Sequence, residues 1–527
     1  MANKLKSSIT SCFKMHGLSL RSEATKYLTN ILSTLNEREQ EDWLERIIET
    51  VTKQPLASAL LKKELIEAAV EECKQGDDED NENVFNVIDA FSVPRFTFNQ
   101  EQKKFLNLFS RDTRPVSLHG NASVKAALFL DRYILLHQRT SRHNLFTPPV
   151  QGSAPDTKTT KFQLKSVEYL LGSTAKLGEL IVLGMLTQLK EGKYFLEDPT
   201  GAVEVDLKVY QFHKGFFTEN SFVLAEGWYE DQIFHVNGLG FPPPEPAEIT
   251  RSFFGTVNFF GGPLPTCAKA SDKLSALESA NPDAMFVFLS DIWLDQVRVR
   301  EKLATLFLGY SEMPPTCFVF CGNFSSTPYG HNHVKNLQEC FKMLADMISE
   351  HPYLVENSKF VFVPGPQDPG PGSILPRPPL PQCITEYMTQ RVPSSIFTTN
   401  PCRIQFCTQE IVIFREDIIM KMCRNSIKFP ESRSEIAKNF MKSVVCQAHL
   451  SPLPLHVSPV YWSHDNALRL YPLPDLVVFG DKYDPYMVTT AGCIGTNTGS
   501  FSKNSYSFKV YYPSTRAVED SQIDEES

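Results

Sequence analysis

The chain has 527 residues, enough for about three domains, and 42% of them are apolar, which excludes a wholly disordered protein. Its 61 acidic and 52 basic side chains give a formal net charge of −9, which disfavours a protein whose main task is to grip nucleic-acid phosphates. The apolar runs are short beside the roughly 20 residues of a membrane-spanning helix, and the 12 cysteines follow no zinc or disulfide spacing. We therefore expect an intracellular, multidomain α+β protein with reduced thiols.

The beginning of the chain carries apolar side chains at the helical period, so residues 1–75 are predicted to be a separable helical N-terminal module. One of its stripes follows a capping box formed by Asn36 and Glu39. The eight residues 76–83 contain five acids and no apolar side chain that could be buried. Residues 76–90 are therefore predicted to be an acidic linker.

The middle of the chain changes from the helical period to the strand period. Residues 91–160 combine one helix at 123–137 with a stretch rich in Pro, Ser and Thr, and we expect this connecting region to pack on the C-terminal domains. Residues 161–245 contain five short apolar runs, at 180–186, 193–197, 202–207, 222–228 and 233–236. Five such strands, with a glycine in the middle of the first, predict an OB-type barrel.

Residues 246–512 alternate buried apolar runs with helical patterns. The runs are 285–289, 317–321, 360–363, 411–414 and 476–479. This alternation predicts a layered α/β domain, in which functional side chains lie where the strands end. The acidic residues 513–527 are predicted to be a frayed tail.

Polar residues follow four of these apolar runs. The strings are Ser290-Asp291-Ile292-Trp293, Gly322-Asn323-Phe324, Pro364-Gly365-Pro366-Gln367-Asp368 and Gly480-Asp481-Lys482-Tyr483. In this order they resemble the strand ends of calcineurin-like phosphoesterases, which carry Asp-x-His, Gly-Asp, Gly-Asn-His-Asp and Gly-His-x-His. That family holds two metal ions with carboxylates and histidines, and the metals clamp a phosphate and activate water. The resemblance implies an α/β/β/α fold for residues 246–512.

The ligand set of that family is incomplete in this chain. The positions that would carry the ligands are occupied by Asp291, Trp293, Asn323, Pro366, Gln367, Asp368, His449, Asp481 and Tyr483. Asp291 and Asp368 remain, and His449 is expected at one histidine position, while Trp293 is expected to fill the space of a metal and its water. Two carboxylates and one imidazole do not make a two-metal site, so we predict a catalytically inactivated domain with no cofactor and no catalytic metal. A single adventitious metal, or an active metal-dependent phosphoesterase or nuclease, is the alternative.

An OB barrel beside an inactivated phosphoesterase domain resembles the B subunit family of replicative DNA polymerases, over about residues 160–512. The supporting strings are Phe-Leu-Ser-Asp-Ile-Trp-Leu-Asp at 288–295, Pro-Gly-Pro-Gln-Asp-Pro at 364–369 and Asn-Thr-Gly-Ser-Phe at 497–501. Thr498 departs from the Pro that related B subunits tend to have there. The helical N-terminal module resembles the epsilon type of this family.

This resemblance implies a non-catalytic accessory subunit that acts as a scaffold in nuclear DNA replication. The barrel and the phosphoesterase domain would dock the zinc-bearing C-terminal domain of the catalytic polymerase subunit. The N-terminal module would resemble the lid domain of AAA+ proteins and contact the replicative helicase through GINS. Small histone-fold subunits would be further partners, DNA contact would be mainly indirect, and no membrane would be involved.

The charge of the barrel supports a protein partner from the residues alone. Residues 179–240 contain ten acids, four lysines and no arginine. Single-strand binding by an OB fold requires a basic groove with exposed aromatic rings. The aromatic residues Phe195, Trp228, Tyr229 and Phe234 are therefore predicted to be mainly barrel core, and a single-stranded DNA-binding barrel is the second alternative.

The proline-rich stretch 364–381 permits two interpretations. It is either a rigid loop packed on the inactive site, since proline fixes an extended backbone, or a ligand for a proline-recognising module. The first is the prediction.

Overall fold

A computed structural model of the chain describes residues 2–32, 40, 43–44, 47–48, 50–52, 60–63, 65–70, 84–108, 117–147, 162–208, 211–327, 330, 332–429 and 432–523. The predicted capping box, residues 76–83 of the predicted linker and most of the predicted Pro- and Ser-rich stretch lie outside these residues. In the part that is described, no helix is long and apolar enough to cross a membrane.

The N-terminal module has its own apolar core. Its described elements are α1 (Ala2–Met15), β1 (Ser19–Leu20), α2 (Ser22–Leu32) and β2 (Leu60–Leu61). The strands β1 and β2 pair in parallel. The core contains Phe13, Leu28, Ile47, Val51 and Ile66, and all its members come from the first 70 residues.

A strand lies inside the stretch that was predicted to be a linker. β3 (Phe85–Asp89) pairs antiparallel with residues 402–406 at the edge of a C-terminal sheet. The next residue, Ala90, donates its N–H to Thr399 Oγ1 at 2.7 Å. The linker prediction is therefore wrong for residues 85–90, because the partner of this strand is too distant in sequence for a local pattern to indicate it.

The connecting region packs on both neighbouring domains. Its elements are β4 (Phe96–Asn99), β5 (Lys104–Asn107) and α3 (Ala122–Arg142). Asn121 caps α3 by accepting the N–H of Val124, as expected for a helix N-cap. Leu135 and Leu136 pack in one small core with residues from both later domains.

The barrel contains all five predicted strands. Its elements are β6 (Leu164–Lys165), α4 (Val167–Leu171), β7 (Leu177–Lys190), β8 (Lys193–Asp198), β9 (Gly201–Asp206), β10 (Gln211–Phe212), β11 (Phe222–Glu230) and β12 (Ile233–Gly240). The strand order is β10-β12-β11-β7-β8-β9, and a parallel pairing of β12 with β9 closes the barrel. Val182, Leu196 and Phe234 are among the side chains that fill it.

The C-terminal domain, here called the sandwich, is built from two six-stranded sheets. Its helices are α5 (Ala247–Ser252), α6 (Asp272–Ala280), α7 (Val297–Gly309), α8 (His333–Ser349), α9 (Pro352–Asn357), α10 (Gln382–Arg391), α11 (Ile418–Asn425) and α12 (Ile436–Gln447). Its strands are β13 (Phe286–Ser290), β14 (Cys317–Cys321), β15 (Lys359–Val363), β16 (Ser395–Phe397), β17 (Cys402–Phe406), β18 (Gln409–Phe414), β19 (Leu476–Phe479), β20 (Tyr486–Thr490), β21 (Cys493–Asn497), β22 (Ser507–Tyr512) and β23 (Ala517–Gln522).

The two sheets lie face to face between layers of helices. The first has the order β16-β15-β14-β13-β22-β23 and the second β20-β21-β19-β18-β17-β3. Side chains such as Phe288, Val319, Ile413 and Val478 form one core between the sheets. Helices α7, α8 and α10 cover the outer face of the first sheet, and α11 and α12 that of the second. Since β13 to β16 are parallel, as are β18, β19 and β21, each set ends at one edge of its sheet.

The end of the described chain is ordered against the first sheet. β23 pairs antiparallel with β22, so the prediction of a frayed tail is wrong for residues 517–522. Lys509 on β22 is buried, and its amine binds the carboxylate of Asp520 on β23. A buried lysine needs a counter-charge, which gives this acidic strand a structural role that composition does not indicate.

Candidate functional site

The ends of β13, β14, β15, β18 and β19 meet at one edge of the sandwich. We call the polar residues there the strand-end site: Asp291, Asn323, Asp368, Arg415, Asp417 and Asp481. The two sheets come very close at Gly480, where a Cβ atom would lie 2.7 Å from Ser290 Oγ and 2.8 Å from Arg415 Cδ. No side chain larger than hydrogen fits at that position without movement.

Arg415 lies between the two sheets, and its side chain is 0% exposed. Its Nη2 donates to Asp291 Oδ1 at 2.6 Å, its Nη1 donates to Asp417 Oδ1 at 2.9 Å, and its Nε donates to the carbonyl oxygen of Gly322. Burial alone would lower the pKa of Arg415, but the two aspartates raise it above its usual value. The site therefore holds a permanent cation.

Asp291 accepts three hydrogen bonds at one carboxylate oxygen, Oδ1. Besides the guanidinium, its Oδ1 accepts the backbone N–H of Asn323 at 3.2 Å and the side-chain amide of Asn323 at 3.1 Å. The amide oxygen of Asn323 in turn accepts the backbone N–H of Gln367 at 2.9 Å. An amide can donate on one side and accept on the other, which a carboxylate cannot do.

The two other acids of the predicted site bind backbone amides. Asp368 accepts the N–H groups of Phe324 at 2.9 Å and Gly365 at 2.7 Å. Asp481 accepts the N–H of Ile419 at 2.9 Å and the N–H of Tyr483, also at 2.9 Å. Burial raises the pKa of both carboxyls more than these hydrogen bonds lower it, and the resulting pKa of each is about 6. Both side chains thus tie loops together.

Trp293, which was expected at the position of a metal and its water, is half-buried. It packs against the apolar core under the helices of the first sheet, and Lys503 Nζ lies 5.2 Å from the centroid of its ring. The groups that donate hydrogen bonds to the Asp291 carboxylate are the Arg415 guanidinium and Asn323. That Trp293 fills the space of a metal and its water stays a prediction.

The proline-rich stretch folds back on the strand-end site. Arg377 is buried and donates to the carbonyl oxygens of Pro366 at 3.1 Å and Gly372 at 2.8 Å. Leu375 is buried in the core of the second sheet. These contacts agree with the interpretation as a rigid packed loop. Tyr483 packs, half-buried, against the same core.

His449 belongs to a different buried group, which we call the junction cluster: Arg132, His449 and Asp465. Asp465 accepts from Arg132 Nε at 3.1 Å and Nη2 at 2.5 Å. His449 Nδ1 accepts the N–H of Ser451 at 3.0 Å, so its Nε2–H faces Asp465 Oδ1 at 3.2 Å. Asp291 and Asp368 are not among the hydrogen-bond partners of His449 in the described part of the chain, so the expected sharing of one site is not found.

We expect the stability of the protein to depend on His449 in mild acid. Burial and the neighbouring Arg132 lower the pKa of His449 to about 4, although Asp465 raises it. The unfolded chain binds this proton at about pH 6.5, so the folded state loses about 3 kcal/mol of stability as the pH falls from 6.5 to 4. Denaturant unfolding at several pH values should show that the free energy of unfolding of His449→Gln depends less steeply on pH between 6.5 and 4 than that of the wild type. The exposed His119→Gln variant should keep the wild-type slope, and an unchanged slope in His449→Gln would contradict the assignment.

The strand-end residues do not fit a pair of divalent metal ions. The carboxylates already accept hydrogen bonds from a guanidinium or from backbone amides, and Arg415 would repel a second cation placed next to Asp291. An arginine side chain has five N–H donors and no lone pair for a metal. Within the described ranges, no group of three or more His, Cys, Asp or Glu side chains is arranged to hold a metal ion.

Of the four barrel aromatic residues predicted to be mainly core, two are buried, and Phe195 and Trp228 are half-buried. Tyr229 and Phe234 are buried in the barrel core, which confirms the prediction for these two rings. The Trp228 ring is stacked 4.0 Å from that of His235, and Lys176 Nζ lies 4.1 Å from its centroid.

Buried hydrogen bonds join the barrel to the sandwich. The side chain of Gln447 on α12 pairs with the backbone of Phe222 on β11, donating at 2.7 Å and accepting at 2.8 Å. The N–H of Phe216 donates to Ser443 Oγ at 2.7 Å, and Thr218 Oγ1 donates to the carbonyl oxygen of Pro452 at 2.7 Å. The two domains therefore present one continuous body.

Three family models match the chain in the order of the predicted domains. The model for the DNA polymerases epsilon N terminal matches residues 1–73, and that for the DNA polymerase epsilon subunit 2-like OB-fold domain matches 122–243. The model for the DNA polymerase alpha/epsilon B subunit matches 286–488. The second match includes α3, which the sequence prediction had placed outside the barrel.

Whole-length relatives agree with these models. The chain is 58% identical over 520 residues to DNA polymerase epsilon subunit 2 of Homo sapiens, with 99% of each chain covered. It is 42% identical over 524 residues to that of Drosophila melanogaster, with 99% of this chain and 98% of the relative covered. A solved archaeal phosphodiesterase is 11% identical with a TM-score of 0.25, over 45% of this chain and 99% of its own, which is too low to support a conclusion. The chain belongs to the family of DNA polymerase epsilon subunit 2.

Proposed function

We propose that the chain is a non-catalytic scaffold subunit of the DNA polymerase epsilon complex in the nucleus. Family membership supports the assignment to this complex. The observation that carries the scaffold role is the buried polar contact between barrel and sandwich, above all the Gln447–Phe222 pair. A rigid two-domain body offers a partner a continuous surface and loses less conformational entropy on binding than two loosely linked domains would.

The partner proposed for this body is the zinc-bearing C-terminal domain of the catalytic subunit. The ten acids and four lysines of residues 179–240 give the barrel an acidic surface. Two lysines on or beside it, Lys193 and Lys176, form ion pairs with Glu204 and Glu230. An acidic surface favours docking of a more basic protein partner and disfavours a DNA strand, so we propose mainly indirect contact with DNA.

The N-terminal module is proposed to act separately from this body. Among the described residues, its core side chains all belong to the module itself, so it is suited to move as a unit. We propose that it resembles the lid domain of AAA+ proteins and contacts the replicative helicase through GINS. Small histone-fold subunits are proposed as further partners of the complex.

The sandwich is proposed to be an inactivated phosphoesterase domain. Two observations support this assignment. Arg415 donates a hydrogen bond to Asp291, and Asn323 stands where the metal-bridging carboxylate is expected and also donates to Asp291. Manganese-dependent hydrolysis of an aryl phosphate that Asp291→Ala abolishes would overturn it. Sub-micromolar binding of single-stranded DNA with a steep salt dependence would instead favour the barrel as a DNA-binding module.

We expect the catalytic C-terminal domain to co-purify with the full chain and with a 76–527 variant. The second variant lacks only the N-terminal module. A 162–527 variant should lose the partner, because it lacks both β3 at the sheet edge and α3 at the domain junction. Loss of binding by the 76–527 variant would contradict docking on barrel and sandwich.

A further inference from the structure

The strand-end site brings four carboxylates to one edge of the sandwich: Asp291, Asp368, Asp417 and Asp481. All except Asp417 are at least 95% buried. Like charges in a buried region repel one another unless a cation lies between them. The inactivated domain proposed above therefore needs a positive charge at the place where a metallophosphoesterase would use metals.

We propose that Arg415 is the permanent cation of the strand-end site, that it holds the ends of the two sheets together in the place of metal ions, and that it makes the fold independent of divalent metals. This goes beyond the scaffold role, because it assigns a structural task to the degenerate site itself. The idea rests on three hydrogen bonds from one buried guanidinium to three different segments.

The three donors of Arg415 connect both sheets. Nη2 binds Asp291 after β13, Nε binds the carbonyl oxygen of Gly322 after β14, and Nη1 binds Asp417 after β18. The first two segments belong to the first sheet and the third to the second sheet. Only a planar guanidinium can donate to three separate acceptors with fixed geometry, whereas a lysine amine is a flexible point charge.

The surroundings are adapted to this side chain. Asn400 holds the backbone of Arg415 from both sides, accepting its N–H at 3.0 Å and donating to its carbonyl oxygen at 2.6 Å. Gly480 leaves the space that the Arg415 Cδ atom occupies. Asn323 supplies an amide donor to Asp291, where a carboxylate would face Asp291 with a second negative charge. The replacement of a metal-bridging carboxylate and the presence of Arg415 are thus parts of one arrangement.

The test compares the full-length wild type with Arg415→Ala and with Arg251→Ala. Arg251 is a matched control, since it forms an ion pair with buried Glu410 away from the strand ends. Wild type should carry well under one equivalent of metal by mass spectrometry, and its Tm should not respond to MnCl2 or EDTA. Arg415→Ala should lower the Tm by about 10 °C, because it leaves Asp291 buried without its cation.

Manganese then distinguishes a cation role from simple loss of packing. MnCl2 should restore part of the Tm of Arg415→Ala, since a ligand of the folded state raises its stability, and should not affect Arg251→Ala. An equal response of the two variants would overturn the proposal. So would a wild-type chain that holds a full equivalent of metal or gains stability from MnCl2.

A double variant keeps the test decisive where Arg415→Ala does not fold. Asp291→Asn combined with Arg415→Ala removes the carboxylate together with its cation, so the double variant should fold and melt cooperatively even where Arg415→Ala alone does not. A double variant that also fails to fold would overturn the proposal. The metal content of the wild type and the response of its Tm to MnCl2 test the proposal without any variant.

Discussion

Replacing Arg132 by methionine is expected to lower the Tm of the barrel and sandwich by about 10 °C. Arg132 lies on α3 and makes two hydrogen bonds to Asp465 in the sandwich, and both side chains are almost fully buried. Burial would raise the pKa of Asp465, but Arg132 and His449 hold it well below its usual value. Without Arg132, burial acts to raise the pKa of Asp465, so the carboxyl must either stay charged without its main partner or take up a proton, and either outcome is strongly destabilising. Differential scanning calorimetry of the full chain measures the effect.

Two further variants isolate the cause of this loss. Lys193→Met breaks an exposed ion pair with Glu204 in the barrel, and it should leave the Tm nearly unchanged because exposed pairs contribute little. Arg132→Met combined with Asp465→Asn should recover part of the stability, since no charge is then left unpaired. A Tm loss in Arg132→Met no larger than that in Lys193→Met would contradict the account.

Gly227→Ala is expected to destabilise the barrel by about 3 kcal/mol and to weaken partner binding with it. Gly227 lies on β11 next to a register shift against β12. A Cβ atom there would lie 2.0 Å from the carbonyl oxygen of His235. That oxygen belongs to the backbone of the paired strand, so no side-chain rotation relieves the clash. Urea unfolding followed by the fluorescence of neighbouring Trp228 reports on this region.

Gly178→Ala is the matched control in the same barrel. Gly178 lies on β7, and no atom comes within 4 Å of its Cβ position. The same substitution should there be neutral or slightly stabilising, because alanine reduces the freedom of the unfolded chain. Equal effects at the two positions would show that strand propensity, and not the contact with His235, determines the result.

The sequence predicts the inner strands well because burial on both faces produces continuous apolar runs. β14 and β19 coincide with the predicted runs 317–321 and 476–479. β3 and β23 were missed because each is an edge strand with mixed polarity. β3 is stabilised by a partner distant in sequence, residues 402–406, and β23 by the preceding strand β22, whose buried Lys509 binds Asp520.

The position of the strand-end site is predicted by the ends of these apolar runs, but one of its residues, Arg415, is not. Asp291, Asn323, Asp368 and Asp481 lie at the predicted edge, since each follows an apolar run. Arg415 also follows such a run, 411–414, but arginine has no lone pair for a metal, so resemblance to a metal site does not indicate it. The junction cluster could not be predicted from the sequence, since 317 residues separate Arg132 from its neighbour His449. No local pattern indicates a contact at that distance.

The strand at the sheet edge, β3, also sets the order in which the chain can fold during its synthesis. Ala90, directly after this strand, hydrogen-bonds to Thr399, 309 residues further along the chain. The ribosome therefore releases Phe85–Asp89 long before its partner exists, and the complete barrel emerges in between. Since domains generally fold as they are made, the barrel can close while this segment still has no strand to pair with. The nascent chain thus carries Phe85–Asp89 without its partner strand until residues 402–406 have been made.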